Sequence, residues 1–242
     1  DRFTTQRRFE EAIELYHQAL DNGSDMEDEV HFNLGLAWQG KGDTAKAIEH
    51  FKQAVDLNIS HEGALYELAY CLDQIGELEN SLSYYRKFID EDPYSVSAWY
   101  NLGIVYNKLE RFDDAVEAYG YALAIDDQFA SGHYNMGNSQ LAAGRFTEAL
   151  ECFNQTLELE GPSSEVYCSL GLAYEGMGQQ DLGLKYFQKA TKLDPVCDEA
   201  WFGAGVCLEK KENWHQALHF YSKAVKLDFN NADYWKAVAR MD

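Results

Sequence analysis

Proline is scarce in this chain, with three residues in 242. That excludes a proline-rich linker and leaves long stretches free to be helical. Basic residues are also few: 20 Lys and Arg stand against 41 Asp and Glu, a formal net charge of −21. A phosphate backbone is held by clustered Lys and Arg, so no nucleic-acid partner is expected. A surface this acidic repels anionic membranes and attracts basic partners in a salt-dependent way. The five cysteines (Cys71, Cys152, Cys168, Cys197, Cys207) are odd in number and form no C-x-x-C pair. Reduced thiols in a reducing compartment are expected, not a disulfide frame or a zinc site. No run is long and apolar enough for a membrane span or a signal peptide, so no membrane partner and a cytoplasmic location are expected. The chain opens on Asp1 and not on Met, which fits a fragment of a longer protein.

What is present is a beat. A small residue recurs at Gly35, Ala69, Gly103, Gly137, Gly171 and Gly205, every step being 34 residues. A second small series, Ala47, Ser81, Ala115, Ala149, Gly183 and Ala217, keeps the same step. Four residues after each stands a ring: Phe51, Tyr85, Tyr119, Phe153, Phe187, Tyr221. Three further on lies Ala54, Phe88, Ala122, Thr156, Ala190 or Ala224. Within a unit, Trp99, Leu102, Gly103 and Tyr106 share one helical face, and a second stripe runs from Ala115 through Tyr119 to Leu123. Between the stripes come Gly42, Gly76, Gly144 or Gly178, where a helix end takes a left-handed residue. Each unit is thus two short helices, and the small positions let them approach closely.

The pattern Trp99-x-x-Leu102-Gly103-x-x-Tyr106, then Ala115-x-x-x-Tyr119, resembles the tetratricopeptide repeat. The resemblance implies an all-α, right-handed α-solenoid spanning residues 1–242. Full repeats fall at 28–61, 62–95, 96–129, 130–163, 164–197 and 198–231, with a half repeat at 1–27 and a partial one at 232–242. Departures are local: Ala69, Ser81 and Phe88 in the second repeat, Gln140 in the fourth, and Asp127 and Gly161 in the slot that holds Pro93 and Pro195.

The resemblance further implies that the first helices form a concave wall for an extended peptide. Residues one and two past Trp99 fall off its stripe, so their registers are expected to face that groove. The candidate peptide-binding residues are Phe32, Asn33, Tyr66, Tyr70, Tyr100, Asn101, Tyr134, Asn135, Asn138 and Phe202. Rings offer flat contact area at low entropy cost, and asparagine offers both a donor and an acceptor to a peptide backbone. The competing readings are that the rings fill gaps between neighbouring helices and that the asparagines bond locally. Related repeats grip acidic chaperone tails through a cationic clamp. Here Tyr134, Glu165 and Ser169 stand where its cations belong, so no such clamp is expected. Glu29, Asp73, Glu165, Glu175, Glu199, Glu209 and Asp233 are expected to edge the groove instead, which suits a neutral-to-basic segment.

No Gly-rich phosphate loop, G-x-S-x-G elbow or H-E-x-x-H is present, so neither an enzyme nor a cofactor is expected. His215 and His219 lie four apart but lack a third ligand, and no metal is expected. Cys168 has no histidine nearby to activate it. The reading is a non-catalytic interaction scaffold. Its rivals are the substrate-recognition arm of a larger enzyme, such as a protein glycosyltransferase, and a module that self-associates head to tail.

Overall fold

The computed structural model describes residues 2–241, with side chains from Arg7 onward. They form fourteen α-helices, and no strand occurs among the described residues. The helices divide into two compact units, one ending at Ile125 and one beginning at Asp126. The first unit holds α1 (Arg2–Asp21), α2 (Glu27–Lys41), α3 (Thr44–Leu57), α4 (Glu62–Gln74), α5 (Leu78–Glu91), α6 (Val96–Lys108) and α7 (Phe112–Ile125). The second holds α8 (Ala130–Ala142), α9 (Phe146–Glu160), α10 (Ser164–Gly176), α11 (Gln180–Leu193), α12 (Asp198–Lys210), α13 (Trp214–Leu227) and α14 (Ala232–Ala239). Within each unit the helices stack as successive antiparallel hairpins, which makes each an α-solenoid.

The 34-residue beat is a steric interlock. A Cβ added to Gly103 would lie 2.5 Å from the Tyr119 ring, and one on Gly35 would lie 2.4 Å from the Phe51 ring. The same collision recurs between Gly137 and Phe153 and between Gly205 and Tyr221. Each first helix leaves a notch, and the ring of its own second helix fills it. Phe51, Tyr119, Phe153 and Tyr221 are fully buried there. Burying one such ring contributes roughly 1.5–3 kcal/mol to the cohesion of its hairpin. The second repeat adapts where it departs. Ala69 fills its own notch, and buried Ser81 donates its hydroxyl to the Ala69 carbonyl at 2.8 Å.

All six hairpin turns close alike, with a backbone N–H reaching the carbonyl five residues back, as from Asp43 to Trp38 and from Arg111 to Tyr106. This is the left-handed C-cap. Gly42, Gly76, Gly144 and Gly178 supply it with φ between 75° and 83°. In the other two turns Glu110 and Glu212 adopt φ of 57° and 59°, although neither is glycine.

Trp99 was expected on the buried stripe, and the structure places it half-buried instead. Its ring stacks on Tyr121 at 4.4 Å, and its indole N–H donates to the Pro93 carbonyl at 3.0 Å. Trp201 and Trp235 make the same bond to Pro195 and Phe229. His133, in the same register, has Nε2 3.0 Å from the Asp127 carbonyl. A carbonyl only accepts, so that nitrogen carries the proton. This ring pins the linker to the helix that follows it, which is a different task from filling the hairpin core.

Candidate functional site: the first-helix wall

In the first unit the expected aromatic row is half-buried and leans on second-helix rings. Phe32 lies 5.9 Å from Phe51 and 4.8 Å from His61. Tyr66 meets Tyr85 and Phe88 edge-on at 5.8 and 5.4 Å, and Tyr100 lies 5.8 Å from Tyr119. Tyr70 stands apart from this row as a 40 % exposed ring. Asn33 donates to the Glu29 carbonyl of its own helix at 2.8 Å. Asn101 reaches across to the Tyr66 hydroxyl at 2.9 Å, so at this pair the two rows form a rung between neighbouring first helices.

The second unit repeats the rung and then breaks it. Tyr134 packs on Phe153 at 5.9 Å, and Ser169 donates to its hydroxyl at 3.4 Å. Asn135 and Asn138 are half-buried on the same helix. Cys168 takes the ring position in α10 and is buried, with its Sγ 3.6 Å from that of Cys197. Burial pushes its thiol well above the usual range. Gly203 takes the asparagine position in α12, and a Cβ there would lie 2.4 Å from the Phe187 ring. The glycine admits that ring edge to the wall.

The outcome is a cleft of about 350 Å³ on the first-helix side of the second unit. Phe187, Gly203, Phe202 and Val206 line it, together with Leu172, which is 45 % exposed, and Tyr234. Phe202 stacks on Tyr234 at 4.7 Å, and the Tyr234 hydroxyl donates to Asp198 at 2.8 Å. Glu175 and Glu199 complete the lining. Of the candidate peptide-binding residues only Phe202 belongs to this cleft, joined by Glu175 and Glu199 of the expected acidic edge. Sequence reasoning missed Leu172, Val206 and Tyr234. Tyr234 carries a signal, since its register otherwise holds Val30, Ala64, Ala98, Gly132, Val166 and Ala200.

The acidic edge is more neutralised than its sequence implies. Asp73 takes Lys108 at 2.7 Å, Asp233 takes Lys236 at 2.8 Å, and Glu209 takes Arg240 at 3.2 Å. Glu175 pairs with Lys210, and Glu29 lies 3.6 Å from His61. Glu165 and Glu199 have no ion-pair partner among the described residues. No group of three His, Cys, Asp or Glu among the described residues is placed to hold a metal. No helix among them is long and apolar enough to cross a membrane.

Comparison with known proteins places this geometry. Tetratricopeptide repeat family models match residues 2–62, 39–96, 96–129, 130–161 and 168–233. The photosystem I assembly protein Ycf3 of Rippkaea orientalis is 34 % identical over 71 residues, 28 % of this chain and 41 % of that protein. The chain thus spans about two fifths of the length of the curated relatives it matches. Among solved structures, MamA is 26 % identical with a TM-score of 0.66, covering 77 % of this chain and 94 % of its own. YrrB, described as a TPR protein with an unusual peptide-binding site, is 26 % identical with a TM-score of 0.64, covering 78 % and 98 %. The C-terminal part of a repeat protein from Cytophaga hutchinsonii reaches a TM-score of 0.76 over 96 % of this chain and 95 % of its own, at 14 % identity. The interlocked hairpins, their shared turn and these matches agree: the chain belongs to the tetratricopeptide repeat family.

Proposed function

We propose that this chain is an interaction scaffold that holds an extended segment of a partner protein along its first-helix wall. An apolar side chain of that segment seats in the cleft between Leu172 and Val206, and a neutral-to-basic neighbour lies against Glu199. The observation that carries this reading is the cleft itself. An apolar recess with carboxylates in its lining is what a segment needs for anchoring and orientation. The half-buried rungs, such as Asn101 to Tyr66, fix the spacing of the wall and leave the recess as its receptive part. The peptide-binding site named for YrrB and the assembly role named for Ycf3 support a protein partner.

A peptide-array screen at low salt tests the proposal. Bound sequences are expected to share an apolar residue beside a basic or neutral one. Leu172→Asp, at an exposed position that does not hold the hairpin together, is expected to abolish their binding. Retained binding by that variant, or sequences rich in acidic residues, would remove the cleft from the site. Binding should weaken as salt rises, because Glu199 is solvent-exposed and screened.

A further inference from the structure

A second cavity, of about 420 Å³, lies in the first unit where α5, α6 and α7 meet. Two of these are second helices of consecutive hairpins, so the cavity does not belong to the first-helix wall. Trp99, Tyr106 and Tyr121 line it together with Arg86, Asp90 and Glu117.

The chain already shows what these rings hold. The Arg111 guanidinium lies 4.8 Å from the Tyr106 ring centre and that of Arg86 lies 5.7 Å away, with Arg86 Nε donating to the Tyr106 hydroxyl at 3.2 Å. The second ring pair, Trp99 stacked on Tyr121, carries no cation among the described residues. Tyr121 is 47 % exposed, and its hydroxyl is 3.4 Å from Glu117. The carboxylate therefore stands at the edge of the ring stack. Asp114, also in the lining, is taken by Arg111 at 2.7 Å. Asp90 and Glu117 are exposed and have no ion-pair partner among the described residues. Two unneutralised carboxylates thus share a recess with two stacked rings that lack a cation.

We propose that this cavity binds an arginine side chain of a partner segment. A planar guanidinium stacks on indole and phenol faces and forks onto a carboxylate, whereas an ammonium is a point charge that does only part of this. The net charge of −21 favours the approach of such a segment.

The test uses the full chain and a blocked Gly-Arg-Gly tripeptide, followed by NMR at the Trp99 indole N–H, which Trp99→Phe assigns. The arginine peptide is expected to shift that signal saturably. Its citrulline counterpart, equal in shape but uncharged, is expected not to. Asp90→Asn with Glu117→Gln alters two exposed side chains and is expected to weaken the arginine peptide about tenfold or more. The proposal is overturned if no peptide shifts the signal, if citrulline matches arginine, or if the double variant binds as the parent does. A lysine peptide binding as tightly as arginine would overturn the guanidinium assignment. Leu172→Asp is expected to leave this titration unchanged, which separates the cavity from the cleft of the second unit.

Discussion

Asn101 in the first unit and Gly203 in the second occupy the same register of the repeat, and the wall around them differs accordingly. At Asn101 the amide bonds Tyr66 and the ring row is closed. At Gly203 there is no side chain, the Phe187 ring reaches the wall, and a cleft opens beside Leu172 and Val206. The register also holds Glu67, Ser169 and Ala237, and at Gly203 the missing side chain leaves a recess where Asn101 forms a rung. Under the proposed function, the partner segment is gripped where this register lacks a side chain. The amide that Asn101 offers in that register is already taken by Tyr66.

Removing the ring that fills the Gly171 notch and reaches the wall at Gly203 should have the largest effect. Phe187 is 1 % exposed and is clasped between Gly171 and Gly203. Phe187→Ala is expected to cost about 3–5 kcal/mol. Because repeat arrays unfold unit by unit, the loss should appear as hydrogen-exchange deprotection of α10 to α12, with α2 to α5 unaffected. Deprotection spread evenly over the chain would contradict a local interlock.

A smaller effect is expected from cutting the rungs. Asn101→Ala removes a half-buried bond of 2.9 Å and is expected to cost about 0.5–1.5 kcal/mol. Ser169→Ala, whose bond to Tyr134 is 3.4 Å long, should cost less. Thermal melts of the two variants rank them, and the reverse order would mean that the rungs do not carry the difference.

The turns offer a change of opposite sign. Glu110→Gly and Glu212→Gly replace left-handed glutamates with the residue that the other four turns use. Each is expected to stabilise by about 0.5–1 kcal/mol, seen as a raised unfolding midpoint in urea.

The smallest effect separates the two units by pH. His31 and His50 face each other with Nδ1 atoms 3.1 Å apart. Burial holds both below their ordinary range; the charge of His17 lowers both and that of His31 lowers His50, while Glu27 opposes the shift at His31 and Glu49 and a Gln53 hydrogen bond oppose it at His50. The unfolded chain therefore takes up protons first as pH falls. The α2–α3 hairpin is at full stability above the ordinary value of 6.5 and loses it as pH falls through the lower folded values. Exchange of α2 and α3 amides should accelerate on acidification from pH 7 to 5 after correction for intrinsic rates. His50→Gln should flatten that response.

How much of this was legible in the sequence follows from the same physics. The four registers were readable because each is a steric necessity: a ring needs its notch, as Tyr119 needs Gly103. The glycine turns were readable for the same reason. Glu110 and Glu212 were hidden because their residue type argues against the conformation, although their register places them at it. The destinations of polar groups were not readable. A helical repeat says that Asn101 lies off the core stripe, but not that its amide is spent on Tyr66. The pairing of the acidic edge left a fainter trace, since Asp73 with Lys108 and Glu175 with Lys210 are each 35 residues apart. At Gly203 the sequence displays a residue without a side chain in the register of Asn101, but not what that lack admits. Only the ring of Phe187 against the missing Cβ shows the lack to be an opening.

The central claim is that the opening at Gly203 is where a partner segment is gripped. Methyl NMR of Leu172 and Val206 during titration with the best array peptide tests it most directly. The account predicts saturable shifts confined to those methyls and the rings of Phe202 and Tyr234. It also predicts their disappearance in Gly203→Asn, which restores the side chain found at position 101. Unchanged methyls in the parent protein at saturating peptide, or an undiminished response in Gly203→Asn, would contradict it.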